Sequence, residues 1–305
     1  PRLKHRFDHI QAIGSQPSER YGCRVSVDLP DRVETHVCLG DFEATIVATP
    51  AVTREIRAAL VDVTKDRPVQ GAARIEISSD ADGDHVAADG RIWRPGAFKE
   101  PIDQLMHVLL RSALDIEPDR LHLHAGLVAS DGLGVLIAGY PGSGKSTFIT
   151  ALVKAGYDYL TDESVGVDRA GRLTPFPKPI SVLQGSHSMF TQFDPGHTGL
   201  GAATELAWYL PASAIRTNSL AHVAEPRLLV FLRHERNAPL EVEDLEPAHA
   251  ARLLLSDSAD SERIGIDGLH IAAHLCARVR CVSMRYGALA PAISAIGTLN
   301  RDKPD

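Results

Sequence analysis

The residues best suited to chemistry lie in one glycine-rich octapeptide, which runs from Gly139 to Ser146 and reads GYPGSGKS. Its pattern, G-x-x-x-x-G-K-[ST], is expected about 0.005 times by chance in a chain of this composition, so an ordinary glycine-rich turn is the weaker interpretation. The glycines allow the backbone to curl until successive N–H groups converge on phosphate oxygens. We expect Lys145 to reach the β and γ phosphates of a nucleotide and Ser146 to bind Mg²⁺ through its hydroxyl. The residues predicted to contact the nucleotide are Gly139, Gly142, Ser143, Gly144, Lys145, Ser146 and Thr147.

An acidic pair, Asp162 and Glu163, follows a short apolar segment seventeen residues after Lys145. We expect a crossover helix to bring Asp162 beside the phosphates, where it would orient an attacking hydroxyl and accept its proton. Asp162, Glu163 and Ser146 are the candidate ligands of Mg²⁺. Neighbouring residues of a strand point to opposite faces, which predicts different roles for the two carboxylates. The alternative is a solvated acidic pair at the end of a strand.

Two further residues, His124 and Lys178, are candidates for the same site. His124 ends the alternating tetrapeptide 121–124, so it is either a group that meets Asp162 or the γ phosphate, or a structural histidine of a half-buried strand. Lys178 lies between two prolines, which stiffen the backbone. It is either a contact to phosphate or substrate, or a plain surface lysine.

The elements that must position these residues form a strand, glycine-rich turn, helix and strand, over 135–138, 146–155 and 157–160. This order predicts a βαβ unit with a parallel pair of strands. A further strand is predicted at 121–129. Later strands are predicted at 227–232 and 280–285, and helices at 247–255, 268–277 and 289–297.

The first hundred residues predict a smaller unit of short, mainly antiparallel strands. These strands are expected at 21–29, 35–39, 42–49, 74–78 and 91–94. A helix capped by Thr53 interrupts them, and a helix that opens at Pro101 is expected to pack across the junction. The predicted domains are therefore a β-rich unit, 1–100, and a nucleotide-binding unit, 101–305.

One segment, 184–203, is rich in glycine and is predicted to be a mobile loop beside the substrate. Its histidines, His187 and His197, lack close partners and are poor metal ligands.

Composition excludes several classes of protein. The chain has 305 residues and a net charge of -7, which argues against a protein that binds nucleic acid or coats anionic lipid. No apolar run approaches the ~18 residues of a membrane helix, and residues 1–8 do not begin a secretory signal. Four cysteines without a CxxC pair predict reduced thiols and a cytoplasmic protein.

The stretch from His122 to Val167 resembles the catalytic domain of HPr kinase/phosphorylase. The resemblance is carried by HAGLV at 124–128, GVLIAG at 134–139, the octapeptide, KAG at 154–156 and TDE at 161–163. It implies an α/β fold, namely a P-loop kinase domain of the HPr kinase/PEP carboxykinase-like type. The implied cofactors are ATP and Mg²⁺, with Asp162 as the base toward a seryl hydroxyl and His124 lining the site. That family often forms rings, so a homo-oligomer is possible.

The chain departs from that family at three places. Thr147 replaces a glutamate, Glu163 replaces a second aspartate, and 175–182 replaces an arginine- and glycine-rich stretch linked with the reverse, phosphate-dependent reaction. The pattern looks more like the HPr-kinase-like tailoring kinases of bacterial biosynthetic clusters, which include kinases of a C-terminal serine in lasso-peptide precursors.

The sequence therefore predicts an ATP-dependent kinase of a Ser or Thr hydroxyl in a peptide or protein. A kinase of a small metabolite is the first alternative, and a deep closed pocket under 184–203 would favour it over an open groove. A nucleotide-dependent switch or ATPase is the second, although no arginine-finger partner is evident.

Overall fold

The computed structural model describes residues 31–301, except 69, 81–82, 89–90, 94–99, 118, 257 and 259–263. The strand predicted at 21–29 and the segment 1–8 lie outside these residues. The described chain is a mixed α/β protein with several sheets. It contains no helix with the length and apolar character needed to cross a membrane.

The first sheet has six strands in the order β3-β1-β2-β4-β5-β6. The strands are β1 Val33–Leu39, β2 Phe42–Ala48, β3 Thr64–Lys65, β4 Ala73–Asp80, β5 Gly83–Ala88 and β6 Arg91–Trp93. The β2–β4 pair is parallel and the other pairs are antiparallel. A parallel pair needs a crossover, and helix α1, Pro50–Ala59, lies in it.

Helix α1 begins earlier than the sequence predicts. Thr49 is its N-cap residue and Pro50 occupies the first turn, where the missing N–H of proline costs nothing. The prediction of Thr53 as the cap is wrong, because Thr53 is a buried residue inside the helix.

Helix α2, Pro101–Asp115, packs on the first sheet. Its buried residues Ile102, Leu105, Met106 and Leu109 recur at helical spacing and belong to the same core as the strands. Phe176 and Tyr209, from much later in the chain, enter this core as well. The turn between β1 and β2 also reaches that part of the chain, because a β-carbon on Gly40 would lie 2.6 Å from the carbonyl oxygen of Pro175.

The second sheet has six strands in the order β10-β8-β9-β16-β18-β17. They are β8 Gly126–Ser130, β9 Leu133–Ala138, β10 Asp158–Thr161, β16 Glu225–His234, β17 Glu241–Asp244 and β18 Arg280–Tyr286. Strands β9, β16 and β18 are parallel, while β8 is antiparallel to both β9 and β10. Strand β8 therefore separates the two strands that the sequence predicts as a parallel pair.

Helices cover both faces of this sheet, which is why β9 is buried along nearly its whole length. One face holds α3, Lys145–Lys154, and α8, Leu289–Arg301; the other holds α6, Pro247–Ser256, and α7, Ile266–Arg278. Consecutive residues of β9 point to opposite faces of the sheet, so Leu136 and Ile137 enter two different cores.

Two three-stranded sheets complete the described chain, in the orders β12-β11-β7 and β13-β15-β14. Their strands are β7 Leu121–Leu123, β11 Val165–Val167, β12 Leu173–Pro175, β13 Ile180–Leu183, β14 Ala202–Ala203 and β15 Ala207–Leu210. The single strand predicted at 121–129 is wrong, because the chain leaves one sheet after Leu123 and enters another at Gly126.

The segment predicted as a mobile loop is built of short helical turns. Turns at Gln184–Met189 and Thr191–Phe193 precede helix α4, Pro195–Thr198, and helix α5 lies further on, at Ala212–Ile215. The side chains of Phe190 and Phe193 are buried in the core beside α3.

Candidate functional site

Strand directions bring the predicted residues to one edge of the second sheet. Strand β9 ends at this edge and continues into the glycine-rich loop. Strand β8 is antiparallel to β9, so His124, which precedes it, lies at the same edge. Strand β10 is antiparallel to β8, so Asp162, which follows it, also lies there. Residues 38 positions apart in sequence are thus brought together by the alternation of strand direction.

The glycine-rich loop has the backbone conformation that glycine allows. Gly139, Gly142 and Gly144 have φ values of +149°, +83° and +91°, and Gly144 is the N-cap residue of α3. A β-carbon on Gly139 would lie 2.6 Å from the Leu232 carbonyl oxygen and 2.8 Å from Ser143 Oγ. The neighbouring strand β16 therefore fixes the start of the loop, and His234 N donates to the Ser143 carbonyl at 3.3 Å.

The loop fits an anionic phosphate group. Lys145 is 7% exposed, and its Nζ donates to the carbonyl of Gly139 at the start of the loop. Ser143 Oγ is buried and has no hydrogen-bond partner among the described residues. The first N–H groups of α3 have no acceptor within the helix, and its N-terminus carries a partial positive charge. These donors all belong to the loop and the first turn of α3, where the sequence predicts the phosphates.

The fit to Mg²⁺ is more limited. Ser146 offers a hydroxyl in the first turn of α3, and carboxylate and hydroxyl oxygens are the ligands that Mg²⁺ prefers. Within the described part of the chain, no three His, Cys, Asp or Glu side chains form a group that could hold a metal ion. A magnesium ion at this edge would therefore need oxygen ligands from a bound nucleotide.

Asp162 is buried and its carboxylate accepts hydrogen bonds from three directions. Its Oδ1 accepts from Lys178 Nζ at 2.9 Å and from Tyr159 Oη at 3.2 Å. Its Oδ2 accepts from Ser181 N at 3.0 Å. The side chain is 1% exposed, so this network fixes its orientation.

Lys178 contacts both carboxylates of the acidic pair, and the interpretation of a plain surface lysine is wrong. The residue is 2% exposed, and its Nζ is 3.0 Å from Glu163 Oε2 in addition to the contact with Asp162. Burial lowers the pKa of Lys178, but the charges and hydrogen bonds of Asp162 and Glu163 outweigh it, so the pKa is raised above its ordinary value. Lys178 therefore remains a cation.

The prediction that the two carboxylates point to opposite faces is wrong. Strand β10 ends at Thr161, and the Thr161 hydroxyl accepts from the backbone N–H groups of Glu163, at 3.3 Å, and Ser164, at 3.4 Å. This turn takes Asp162 and Glu163 out of the alternation of the strand. Both side chains consequently reach the same ammonium of Lys178.

His124 lies in the gap between β7 and β8. Burial and the positive charge of Lys145 lower its pKa, while the negative charges of Glu163 and Asp162 act in the opposite direction. These charges place the imidazole in the electrostatic field of the loop lysine and the acidic pair. A lowered pKa favours the neutral ring near pH 7.

Two residues of this network were not predicted from the sequence. Tyr159 is buried, and its hydroxyl lies 2.7 Å from the carbonyl oxygen of Lys178 as well as near Asp162. Ser181 contributes its N–H to Asp162 and its Oγ, at 2.8 Å, to Lys178. Tyr159 stands three residues before Asp162, a spacing that strand alternation places on opposite faces, so the sequence held no signal for this contact.

The helical turn Gln184–Met189 lies against the loop helix. Thr147 Oγ1, in the first turn of α3, is 2.6 Å from Ser186 Oγ. The next residue, His187, stacks on Trp208 with ring centroids 3.8 Å apart, and its Nε2 lies 2.9 Å from the Val182 carbonyl oxygen. The segment predicted to border the substrate thus contacts a residue predicted to bind the nucleotide.

Comparison with known proteins gives little further information. Neither a scan against protein-family models nor a search of curated proteins finds a match. Among solved structures, the chain is similar to the HPr(Ser) kinase/phosphatase from Coxiella burnetii, at 15% identity and a TM-score of 0.33. The similarity covers 59% of this chain and 88% of that one. This likeness is too weak to indicate a function.

Proposed function

We propose that the protein is an ATP-dependent phosphotransferase that transfers the γ-phosphoryl group to a hydroxyl of Ser or Thr in a peptide or protein. The observation that carries the proposal is that Lys145, its glycine-rich loop and Asp162 lie at the same edge of the sheet. A phosphate cradle followed by an oriented carboxylate is the minimum that phosphoryl transfer to a hydroxyl requires. We further propose that residues 101–305 form a P-loop domain of the HPr kinase/PEP carboxykinase-like type behind a β-rich domain of residues 1–100.

In this proposal the loop residues bind the phosphates. Backbone N–H groups of Gly142, Gly144 and Ser146 donate to phosphate oxygens, while the Ser143 N–H stays bonded to the Tyr140 carbonyl. The hydroxyl of Ser143 gains the partner that it lacks in the structure. The Lys145 ammonium leaves the Gly139 carbonyl and moves to the β and γ phosphates. The Thr147 hydroxyl, now bound to Ser186, lies one residue further along the helix.

In this proposal the acidic pair binds the acceptor hydroxyl and the metal ion. Mg²⁺, when bound with the nucleotide, neutralises charge that develops on the phosphates. Ser146, Glu163 and Asp162 are the residues proposed to hold it. Asp162 orients the acceptor hydroxyl and receives its proton, and the neutral His124 ring lines the γ-phosphate side. A direct contact of Lys178 with substrate stays a prediction.

The decisive experiment is incubation of the protein with ATP, Mg²⁺ and a library of Ser- and Thr-containing peptides, followed by mass spectrometry. A peptide that gains one phosphate supports the proposal, provided that Lys145→Ala removes the product. Release of inorganic phosphate without a phosphorylated acceptor would identify an ATPase instead. Phosphorylation of added sugar alcohols, with no peptide product, would identify the small-molecule kinase.

A further inference from the structure

Lys178 is a fully buried lysine, and lysines are almost never fully buried unless they are paired. Its side chain is 1% exposed. Four oxygens lie around Nζ, which are Asp162 Oδ1 at 2.9 Å, Glu163 Oε2 at 3.0 Å, Ser181 Oγ at 2.8 Å and Pro179 O at 3.1 Å. The three N–H bonds of the ammonium are therefore fully used by the acidic pair, the Ser181 hydroxyl and the Pro179 carbonyl.

The two carboxylates that share this ammonium differ in their freedom to move. Asp162 is also held by Tyr159 and Ser181, and its side chain is 1% exposed. The Glu163 side chain is 36% exposed, and its contact with Lys178 is an ion pair at the edge of the network. Glu163 can therefore leave Lys178 for another cation while Asp162 stays in position.

Charge counting gives the buried lysine a purpose. Lys178 and the acidic pair together carry a charge of -1, whereas the acidic pair alone would carry -2 beside a loop built for anionic phosphates. A buried ion pair is seldom a gain in stability over apolar residues, because desolvation of the charges offsets their attraction. The site therefore explains this lysine better than stability does.

We propose that Lys178 is a positioning residue which holds Asp162 for the acceptor hydroxyl and offsets the charge of the acidic pair when ATP enters. Glu163 is the partner that Lys178 releases to the nucleotide-bound cation. This inference rests on the proposed function. It gives Lys178 a role through Asp162 and Glu163, without contact to the reacting atoms.

The test uses four proteins: wild type, Lys178→Met, Asp162→Asn and the double variant. We measure equilibrium binding of ATP in the presence of a chelator, so that no Mg²⁺ screens the phosphates. Lys178→Met is expected to weaken this binding at least ~10-fold, because two uncompensated carboxylates then face the phosphates. The double variant restores a charge of -1 and is expected to bind within ~3-fold of wild type. Unchanged binding in Lys178→Met, or no recovery in the double variant, would overturn the proposal.

Two further measurements protect the test against misfolding and nonspecific effects. Lys154→Met, at the exposed end of α3, is the matched control and is expected to change ATP binding less than ~2-fold. Lys178→Arg keeps the charge but not the compact ammonium, so kcat is expected to fall at least ~10-fold with little change in the KM for ATP. Wild-type kcat in Lys178→Arg would contradict the positioning role.

The failure of this inference is distinguishable from failure of the proposed function. If the wild-type protein binds no ATP, the proposed function fails. Thermal unfolding of the same four proteins then tests the contact alone, because removal of either partner leaves a buried group without its counter-charge. The two single substitutions are expected to be strongly non-additive in the double variant, and additive effects would overturn the assignment of Lys178 to Asp162.

Discussion

At the scale of single residues, the carboxylate of Asp162 is held in one orientation by three hydrogen bonds. Hydrogen bonds from Lys178, Tyr159 and Ser181 surround it, and all three donors belong to the chain itself. Pre-orientation of this kind lowers the entropic cost of bringing a hydroxyl into line for transfer. The proposed role of Asp162 can therefore be tested separately from nucleotide binding.

With Mg²⁺ present to screen the phosphates, Asp162→Asn is expected to keep ATP affinity within ~3-fold and to lower the rate of transfer at least ~100-fold, since the amide retains the shape but accepts no proton. Rates measured with saturating ATP and a phosphorylated peptide as product provide the check. Asp158→Asn, four residues earlier, removes an exposed carboxylate that pairs with Arg216 and serves as the control. Equal rates in the two variants would remove Asp162 from the mechanism.

The sequence predicted which residues lie at this edge of the sheet better than it predicted their contacts, and the chemistry of the site stays a prediction. Motif spacing was sufficient for Lys145, Ser146 and Asp162 to be predicted as one group, because a glycine-rich loop between a strand and a helix has few conformations. It was not sufficient for Lys178, since no local pattern shows that a lysine between prolines is buried under residues 16 positions earlier. Tertiary contacts alone bring Lys178 and Ser181 to Asp162.

At the scale of elements, the loop between β9 and α3 depends on its glycines to different degrees. Gly139 is confined by the carbonyl of Leu232, whereas a β-carbon on Gly142 would meet nothing within 4 Å. Both have positive φ, so both substitutions strain the backbone, but only the first also produces a steric clash.

Gly139→Ala is expected to lower ATP affinity at least ~10-fold and to lower the melting temperature, because either the loop or strand β16 must shift. Gly142→Ala is the matched control, with a smaller effect on both quantities. Thermal melts and ATP titrations of the two variants side by side give the comparison. A larger loss in Gly142→Ala would contradict the steric role of Gly139.

The boundaries of several elements could be predicted from periodicity, but the neighbours of each strand in the sheet could not. Helix α3 and strands β10, β16 and β18 begin within two residues of the predicted positions, because long apolar segments between glycines or charged residues leave little choice. The insertion of β8 between β9 and β10 could not be predicted. Strand order is decided by packing across the whole sheet, and the break after Leu123 carries no proline or glycine before Gly126.

At the scale of the whole molecule, Asp103 on α2 connects the first sheet to the site. It is buried, and its Oδ1 accepts from Tyr209 Oη at 2.7 Å and from Thr204 Oγ1 at 3.1 Å. Tyr209 pairs with Ser181 across strands β15 and β13. The first hundred residues thus border the network around Asp162 through α2.

Burial raises the pKa of Asp103 above its ordinary value, although the hydrogen bonds from Tyr209 and Thr204 oppose this shift. The folded state therefore binds the proton more tightly than the unfolded state. Its contribution to stability is fully present below the unfolded pKa and is lost as pH rises through the folded pKa.

Asp103→Asn removes this titration and is expected to gain stability relative to wild type as pH rises across that window. Urea unfolding at a series of pH values between about 3.5 and 7 measures the difference in the free energy of unfolding. Asp115→Asn, at the exposed end of the same helix, is the control. A constant difference between Asp103→Asn and wild type at every pH would contradict the assignment.

The close approach of Gly40 to Pro175 limits which segments of this protein can be exchanged or lengthened. Three residues after Pro175 comes Lys178, so the turn between β1 and β2 supports the backbone that delivers the buried ammonium. Exchange of the first hundred residues for an unrelated module would remove that support, and a longer turn would push against it. The turn at Asp131–Gly132 has more room, because a β-carbon on Gly132 would lie in open space, although the Gly132 carbonyl accepts a hydrogen bond from Glu225 N. An affinity tag or fluorescent label inserted there should leave phosphate binding intact, whereas the same insertion at Gly40 should abolish it.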